Sequence, residues 1–302
     1  MSLSSWLEPL AVMVAVLALL LATAWLGLRW LRKALTPERL AHPDTSFHPG
    51  IQWVQISTAN GKQLAAQWWP PDTQEDGGPR RIAILMHGWG GNGSQLIPAA
   101  DVLHRHGWSA LMPDARSHGR SDADTYSSLP RFAEDLDACL AWLPEPREVI
   151  LLGHSLGAAA SLLCASRRPD IAAVVSVSAF AHPEQVMRRW LAAYRIPFYP
   201  LGWLVNRYIE RVIGHRFDDI APVNTIARVQ APVLLVHGQQ DDVVPLACAQ
   251  QLQAAGAQAT LIEVPGQHDR FDDEATLNER VTAWLAGTRR IVSMPSTNSG
   301  TP

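Results

Sequence analysis

The stretch VILLGHSLGAAASLLCA, residues 149–165, decides the fold. Its four apolar residues are typical of a short buried strand, and the Ala-rich apolar run after the turn has the length and composition of a helix. The five residues GHSLG, at 153–157, join the two. A strand that turns sharply through Gly-x-Ser-x-Gly into a helix lifts the serine hydroxyl clear of the backbone, so Ser155 is a candidate nucleophile.

The residues on either side of Ser155 fit the same chemistry. Gly153 and Gly157 permit the tight turn, and the backbone N–H of Leu156 lies at a helix N-terminus, where it can face an oxyanion. The pattern alone arises by chance in about one chain in ten of this length. The strand–turn–helix setting therefore carries the prediction, against the alternative of a Gly-Ser turn without chemistry.

A serine hydroxyl needs a base and an orienting acid to become a good nucleophile. HGQQDDVVP, at 237–245, follows an apolar strand and places Asp241 and Asp242 in the loop at its end, and His268 follows the last predicted strand. The C-terminal ends of parallel strands share one rim of a sheet. The chain order Ser, Asp, His of this fold therefore predicts a catalytic triad of Ser155, one of the two aspartates and His268.

The glycine-rich run HGWGGNG, at 87–93, follows the first core strand. It contains Gly88 and would supply the backbone N–H of Trp89 as a second oxyanion donor. The same run matches the Gly-x-Gly-x-x-Gly dinucleotide fingerprint, with Asp114 about 20 residues further on. The chain has only two lysines, which excludes the Tyr-x-x-x-Lys pair of short-chain dehydrogenases. We expect neither a metal nor an organic cofactor.

Apolar runs of strand length alternate with helical patterns over residues 51–286, which predicts an α/β domain with a mostly parallel sheet and helices on both faces. Asn60-Gly61 joins the first two runs and predicts an antiparallel hairpin, which brings the total to eight strands. The predicted strands are residues 51–57, 63–69, 82–86, 108–113, 149–152, 172–177, 233–236 and 261–264. The predicted helices are residues 95–106, 130–142, 156–167, 246–255 and 273–286.

Three further segments lie outside this alternation. Residues from about 183 to 222 are rich in aromatic and arginine side chains and predict a small helical cap. The aromatic side chains of this cap favour an apolar acyl or aryl group at the mouth of the site. Alternatively, they pack against one another as the core of a lid. Residues 31–50, with three prolines, predict an irregular linker. Residues 287–302 predict a disordered tail.

The N-terminus is strongly apolar. Residues 10–28 contain no charge, proline or asparagine. As a helix, this segment is long enough to cross a bilayer, so we predict that residues 1–30 form a single-pass membrane anchor. A cleaved signal peptide, with Ala22-Thr23-Ala24 as the cleavage site, and a buried core helix are the alternatives. Basic residues follow the span, which favours a bacterial inner-membrane protein with a cytoplasmic catalytic domain. Signal cleavage would instead give a periplasmic or secreted protein.

Composition narrows the possible partners. The formal net charge of -3 lacks the basic surplus that binding to nucleic-acid phosphates requires. The three cysteines are far apart and without metal-ligand spacing, so we interpret them as buried apolar residues. The expected partner is a small ester or acyl substrate, which a membrane anchor would let the protein draw from lipid. The sequence contains no pattern that indicates the oligomeric state.

Five blocks in order resemble the α/β-hydrolase superfamily, specifically its bacterial branch related to serine aminopeptidases, monoacylglycerol lipases and prolyl-oligopeptidase catalytic domains. The resemblance covers about residues 47–286. The blocks are HGWGG at 87–91, DARSHGRSD at 114–122, GHSLG at 153–157, HGQQDDVVP at 237–245 and GQH at 266–268.

The resemblance refines several assignments. In such proteins the first aspartate of HGxxDxxVP is the triad acid, which implies Asp241 rather than Asp242. The family's D-x-R-x-H-G-x-S block implies a structural role, holding a loop, for Arg116, His118 and Ser121. This sequence departs from the family in having Ser117 in place of Gly and Gln267 in place of a small residue.

The residues and the resemblance together predict a membrane-anchored serine hydrolase that cleaves carboxylic esters through an acyl-enzyme. Two alternatives are a peptidase or aminopeptidase-like amide hydrolase and a non-catalytic, membrane-tethered binding protein. The substrate itself is not determined by these residues, because contacts outside the triad set specificity.

Overall fold

The computed structural model describes residues 4–34, 36–43, 48–71, 80–145 and 147–292. The strands are β1 Gln52–Thr58, β2 Lys62–Trp69, β3 Arg80–Met86, β4 Ser109–Pro113, β5 Arg147–His154, β6 Ile171–Val177, β7 Val233–Gly238 and β8 Ala259–Val264. The α-helices are α1 Ser4–Ala34, α2 Ile97–Arg105, α3 Leu129–Trp142, α4 Leu156–Ala165, α5 Pro183–Ala193, α6 Trp203–Ile213, α7 Phe217–Ile220, α8 Pro222–Thr225, α9 Leu246–Ala255 and α10 Glu274–Val292.

All eight strands form one sheet, in the order β1-β2-β4-β3-β5-β6-β7-β8. β2 pairs antiparallel with β1 and with β4, and the pairs from β4 to β8 are parallel. Asn60 and Gly61 both have positive φ, of 59° and 65°, as the predicted hairpin turn requires. The predicted eight-stranded, mostly parallel sheet is confirmed.

The sheet is apolar on both faces, because helices cover both. In β3, Ile82, Ile84 and Met86 belong to the core on the side of α3 and α4, whereas Ala83 and Leu85 belong to the core on the side of α2 and α10. This alternation follows from the two-residue period of a strand. The three cysteines, Cys139, Cys164 and Cys248, are buried and unpaired, as the sequence predicted.

Two helix boundaries differ from the predicted ones. The final helix α10 continues to Val292, so residues 287–292 are helical where a disordered tail was predicted. Residues 293–302 lie outside the described part of the chain. At the other end α1 runs to Ala34, four residues into the predicted linker, because Trp-Leu-Arg-Lys-Ala favours helix as well as the apolar residues before it do.

The helix α1 contains one segment, Pro9–Lys33, that is long and apolar enough to cross a membrane, with a mean hydropathy of 2.5 and none of its most apolar window buried. Length and composition alone fit a signal sequence equally well. The C-terminal end of α1 packs against the protein. Trp30 lies with its ring centroid 5.7 Å from that of Trp190 and 5.3 Å from that of Tyr194, and the Arg32 guanidinium donates to the Tyr208 hydroxyl.

The segment predicted as a cap lies between β6 and β7 and forms helices α5, α6, α7 and α8. Its aromatic side chains contact one another and the end of α1: the rings of Trp190 and Tyr194 lie 5.0 Å apart, and both contact Trp30. Other apolar side chains of this segment, such as Tyr199 and Leu204, are exposed.

Candidate active site

Ser155 occupies the turn between β5 and α4 with φ 52° and ψ −113°, a backbone conformation that L side chains rarely adopt. Its N–H donates to the Val177 carbonyl at 2.8 Å, which ties the turn to the next strand. Strain of this kind is typical of functional sites. The flanking glycines are required by packing: a Cβ on Gly153 would lie 2.3 Å from the Gly157 carbonyl oxygen, and one on Gly157 would lie 2.2 Å from that of Met86.

The structure brings the three predicted triad residues together. His268 Nε2 lies 3.0 Å from Ser155 Oγ, and His268 Nδ1 lies 2.8 Å from Asp241 Oδ2. The other carboxylate oxygen of Asp241 accepts the N–H groups of Val243 and Val244, at 3.0 and 2.7 Å. Asp241 is therefore fixed by its own loop and presents one oxygen to the imidazole.

The neighbouring carboxylate has a different environment. Asp242 is exposed, and its backbone carbonyl accepts a hydrogen bond from Arg189. The choice between Asp241 and Asp242, which the residues alone left open, follows in the structure from burial and from the contact of Asp241 with His268. Buried His237, which the sequence analysis missed, lies against the same loop, with Nε2 donating to the Val244 carbonyl at 2.8 Å.

Two further side chains hold the loop of His268, and sequence reasoning did not single out either. His154 Nε2 and Ser178 Oγ each donate to the His268 backbone carbonyl at 2.9 Å. Burial lowers the pKa of His154, so its imidazole is neutral and can supply this single donor. The position of His154 within GHSLG was a signal that could have been used. Ser178 follows the last residue of β6 and belongs to no recognised motif, so the sequence contained no signal for its role.

The glycine-rich loop after β3 lies directly beside Ser155. A Cβ on Gly88 would be 3.2 Å from the Ser155 Cβ and 3.1 Å from His154 Nδ1, so only glycine allows this approach without a shift. Trp89 follows Gly88, and its indole is partly exposed beside the site. The backbone amides of Trp89 and of Leu156, the first residue of α4, thus belong to the residues that directly follow Gly88 and Ser155, which approach each other closely.

His87 fixes the start of this loop. Its Nδ1 donates to the Gly88 carbonyl at 2.7 Å, and its Nε2 accepts the Ala115 N–H at 3.0 Å. Burial lowers the pKa of His87 to about 4. The neutral tautomer with its proton on Nδ1 satisfies both hydrogen bonds, and a second proton on Nε2 would break the bond to Ala115.

The dinucleotide alternative does not fit the structure. The Asp114 carboxylate, which would have to bind a ribose hydroxyl, accepts the Gly93 N–H at 2.8 Å and the Arg120 N–H at 2.7 Å. It also lies 2.7 Å from His42 Nε2. Asp114 is fully buried, and a Cβ on Gly119 would lie 2.1 Å from its Oδ2. The carboxylate is engaged in holding loops and has no face open to a ligand.

The loop after β4 is built from internal ion pairs. The buried Arg116 guanidinium lies 2.7 Å from Asp135 and 2.6 Å from Glu134. Ser121 Oγ donates to the Asp114 carbonyl at 2.6 Å and accepts the Ala65 N–H at 2.8 Å. These contacts are consistent with the loop-holding role that the resemblance implied.

The third member of that block, His118, has its Nδ1 3.0 Å from the Arg116 carbonyl. Ser117 has φ 69°, which explains why glycine is usual at its position in the family. Its hydroxyl accepts the Asp124 N–H at 3.0 Å and so compensates part of the strain. The other departure, Gln267, is exposed, so its larger side chain needs no space in the protein.

A cavity of about 1030 Å³ opens at Ser155 and His268. The loop at residues 87–91, the linker residues 38–41 and helices α2 and α10 form its sides. No described residue of the segment 183–222 lines it, so the expected aromatic mouth is wrong for this cavity. Trp190 and Tyr194 of that segment pack against each other and against Trp30 at the end of α1 instead, whereas Tyr199 and Trp203 are exposed. Within the described part of the chain, no cluster of His, Cys, Asp and Glu is placed to hold a metal ion.

Comparison with known proteins identifies the family of the chain. The family model described as serine aminopeptidase, S33, matches residues 77–220. The protein Rv2307c of Mycobacterium tuberculosis is 31% identical over 228 residues, which cover 74% of this chain and 73% of that protein. The chain belongs to the α/β-hydrolase superfamily, as the sequence resemblance implied, and its general class is that of a hydrolase.

Solved structures share the fold. The Pyrococcus furiosus esterase Pf2001 has a TM-score of 0.65 at 21% identity, covering 84% of this chain and 97% of its own. Est1E from Butyrivibrio proteoclasticus, in a structure with bound ferulic acid, has a TM-score of 0.63 at 20% identity, covering 78% of this chain and 99% of its own. The α/β-hydrolase fold predicted from the sequence is confirmed.

Proposed function

We propose that this protein is a membrane-anchored serine hydrolase that cleaves carboxylic esters through an acyl-enzyme on Ser155. The observation that carries the proposal is the pair of hydrogen bonds that joins Ser155 Oγ to His268 Nε2 and His268 Nδ1 to Asp241 Oδ2, at 3.0 and 2.8 Å. Nucleophile, base and orienting acid are within direct reach of one another without any rearrangement.

The chemistry follows from these contacts. His268 Nε2 accepts the Ser155 proton as Oγ attacks the ester carbonyl carbon, and the Trp89 and Leu156 amides bind the oxyanion. The C–O bond to the leaving alcohol breaks as His268 gives that alcohol its proton. A water molecule, deprotonated by His268, then attacks the acyl carbonyl and regenerates the Ser155 hydroxyl. Asp241 keeps the imidazole tautomer and stabilises its protonated form.

Labelling with a fluorophosphonate probe tests the activated serine. We expect the wild-type protein to be labelled and to hydrolyse p-nitrophenyl esters, and Ser155→Ala to lose both. Ser166→Ala is the matched control, because Ser166 lies at the opposite end of α4 from Ser155 and its hydroxyl donates to the Leu163 carbonyl. A folded wild-type protein that takes no label would favour the non-catalytic binding protein over the hydrolase.

A peptidase is the second candidate, and one specific observation favours it. The carboxylates of Glu38, Asp269 and Glu274 line the cavity, where they could accept a substrate amino group. The family model that matches residues 77–220 is itself described by an aminopeptidase activity. Aminoacyl p-nitroanilides and acyl p-nitrophenyl esters distinguish the peptidase from the esterase. For each substrate, the rate with the protein is divided by the spontaneous rate. A larger ratio for the p-nitroanilides would favour the peptidase.

The membrane anchor rests on the composition of α1 and on the contacts at its end. Trp30, Trp190 and Tyr194 form an aromatic cluster where the apolar segment stops and basic residues begin, as expected at a membrane–water interface. We expect the intact chain to resist extraction from membranes by carbonate and to keep its N-terminal residues in an intact mass measurement. Release of a mature form that starts near Trp25 would support the signal-peptide alternative.

A further inference from the structure

The cavity at Ser155 continues as an apolar cleft between α2 and α10, on the face of the sheet opposite α3 and α4. Its floor consists of side chains from three neighbouring strands at the ends that converge on Ser155. Val177 of β6 and Leu152 of β5 present surface to the cleft, and the almost completely buried Val175 of β6 and Val236 of β7 border it. Val177 is also the residue whose carbonyl accepts the Ser155 N–H, so the floor begins at the nucleophile itself.

The sides of the cleft are apolar where they meet this floor. Leu277 and Val281 lie one turn apart on α10, and both are buried. Ala99 and Val102 line the cleft from α2. Polar lining residues, such as Gln95 on the α2 side and Glu274 on α10, are exposed and lie at the solvent edge. The lining is therefore polar at the mouth and apolar within.

The dimensions of the cleft suit one kind of occupant. Along α10 the lining residues run from Glu274 to Thr282, a distance of about 12 Å for a helix that rises 1.5 Å per residue. We propose that this cleft binds the acyl chain of the substrate, an unbranched aliphatic chain of medium length whose carbonyl carbon lies at Ser155. The inference deepens the proposed ester hydrolysis and rests on it.

Apolar burial supplies the expected selectivity. Each methylene group that leaves water for an apolar site improves binding about fourfold. A chain that lies along the floor strands gains this benefit at every carbon, until it passes the end of the cleft. The segment 183–222 contributes no described residue to the cleft, so selectivity for chain length would come from α2, α10 and the sheet rather than from the cap.

The test measures kcat/KM for p-nitrophenyl esters from acetate to palmitate, with the full chain in lipid nanodiscs. We expect kcat/KM to rise with chain length to an optimum near octanoate or decanoate. Ala99→Phe fills the cleft and should lower the ratio of decanoate to acetate kcat/KM at least tenfold. Leu277→Ala enlarges it and should move the optimum to longer chains. The control Ala254→Phe, at an exposed position on α9, should leave the ratio unchanged.

A second measurement separates failure of the cleft from failure of the hydrolase. Decanoate should displace a fluorescent fatty acid from Ser155→Ala, and Ala99→Phe should weaken that displacement. Displacement that depends on Ala99 in a protein that takes no fluorophosphonate would keep the cleft and reject the hydrolase. Turnover that falls steadily from acetate to decanoate, or a ratio that Ala99→Phe leaves unchanged, would overturn the assignment of the cleft.

Discussion

His42 Nε2 lies 2.7 Å from Asp114 Oδ2, and both side chains are almost completely buried although 72 residues separate them. His42 belongs to the linker after α1, and Asp114 also accepts the N–H of Gly93, the last residue of the glycine-rich loop beside Ser155. The same linker lines the cavity through residues 38–41. The connection between the N-terminal helix and the hydrolase fold is thus part of the site.

We expect His42→Ala to detach this part of the linker. Removal of one partner of a buried hydrogen-bonded pair costs about 1 to 3 kcal/mol of unfolding free energy. The loss of one side of the cavity should also raise KM for esters, with a smaller effect on kcat because the triad contacts do not involve His42. Urea unfolding and steady-state kinetics measure both effects.

The control for this variant is His106→Ala. His106 is an exposed histidine just after α2 whose ring, among the described residues, bonds the Val102 carbonyl, so its loss should change neither quantity. Equal unfolding midpoints and equal KM values for His42→Ala and the wild type would contradict a structural role for the linker.

The two adjacent aspartates allow a matched comparison of the triad acid. Asp241→Asn keeps the shape of the side chain but replaces an acceptor oxygen with an amide that can hold the wrong imidazole tautomer. In a comparable triad this change lowers kcat by about four orders of magnitude. Asp242→Asn, at the exposed neighbour, should leave kcat within about twofold, as is usual for a surface change. Ester hydrolysis by the two variants, measured side by side, decides the assignment. A larger loss in Asp242→Asn would exchange the two roles.

Ser178 is predicted to act through the position of His268. Ser178→Ala removes one of the two donors to the His268 carbonyl, and a neutral hydrogen bond of about 1 kcal/mol corresponds to about a fivefold loss in kcat. KM should change little, and the unfolding free energy should fall by no more than the about 1 kcal/mol that such a bond contributes. The rate of fluorophosphonate labelling should fall in parallel with kcat.

The control lies two residues earlier, within β6. Ser176 is buried, and its hydroxyl has no hydrogen-bond partner among the residues that the structure describes. Ser176→Ala should therefore be neutral or slightly stabilising, with unchanged labelling. If Ser178→Ala lowers stability without slowing the labelling, then Ser178 only stabilises the fold.

The features that could be predicted from the sequence all have a local or periodic pattern of residues. The strand–turn–helix around Ser155 and the alternation of apolar runs both depend on residues that are close in sequence, so the sheet and the helices could be predicted from the pattern. The approach of Asp241 and His268 to Ser155 could be predicted from chain order. The contact of His42 with Asp114 has no such signal, because a proline-rich linker has no periodicity and its docking depends on loops that are distant in sequence. The aromatic segment was predicted as helical, but its composition did not say which surface its rings would cover. That surface includes Trp30, a residue of the N-terminal helix.

Burial of His87 predicts a specific loss of stability in mild acid. The pKa of His87 is about 4 in the folded protein and near 6.5 when unfolded, so below pH 6.5 the unfolded chain takes up a proton that the folded protein excludes. The stability from this group is complete above pH 6.5 and is lost as the pH falls towards 4, by about 2 kcal/mol at pH 5.

We expect His87→Gln, which keeps a neutral polar side chain, to lose less unfolding free energy between pH 7.5 and pH 5 than the wild type does, by about 2 kcal/mol. Other buried groups titrate in the same range: burial lowers the pKa of His118 and His154 and raises that of Asp135 to about 6. The effects of His154 and Asp135 are present in both proteins and cancel in the difference, whereas His118, whose ring lies 5.1 Å from that of His87, helps to lower the pKa of His87 and is part of the measured effect. A parallel pH dependence for His87→Gln and the wild type would mean that His87 is protonated in the folded state, and the hydrogen bond from Ala115 to its Nε2 would then have to break.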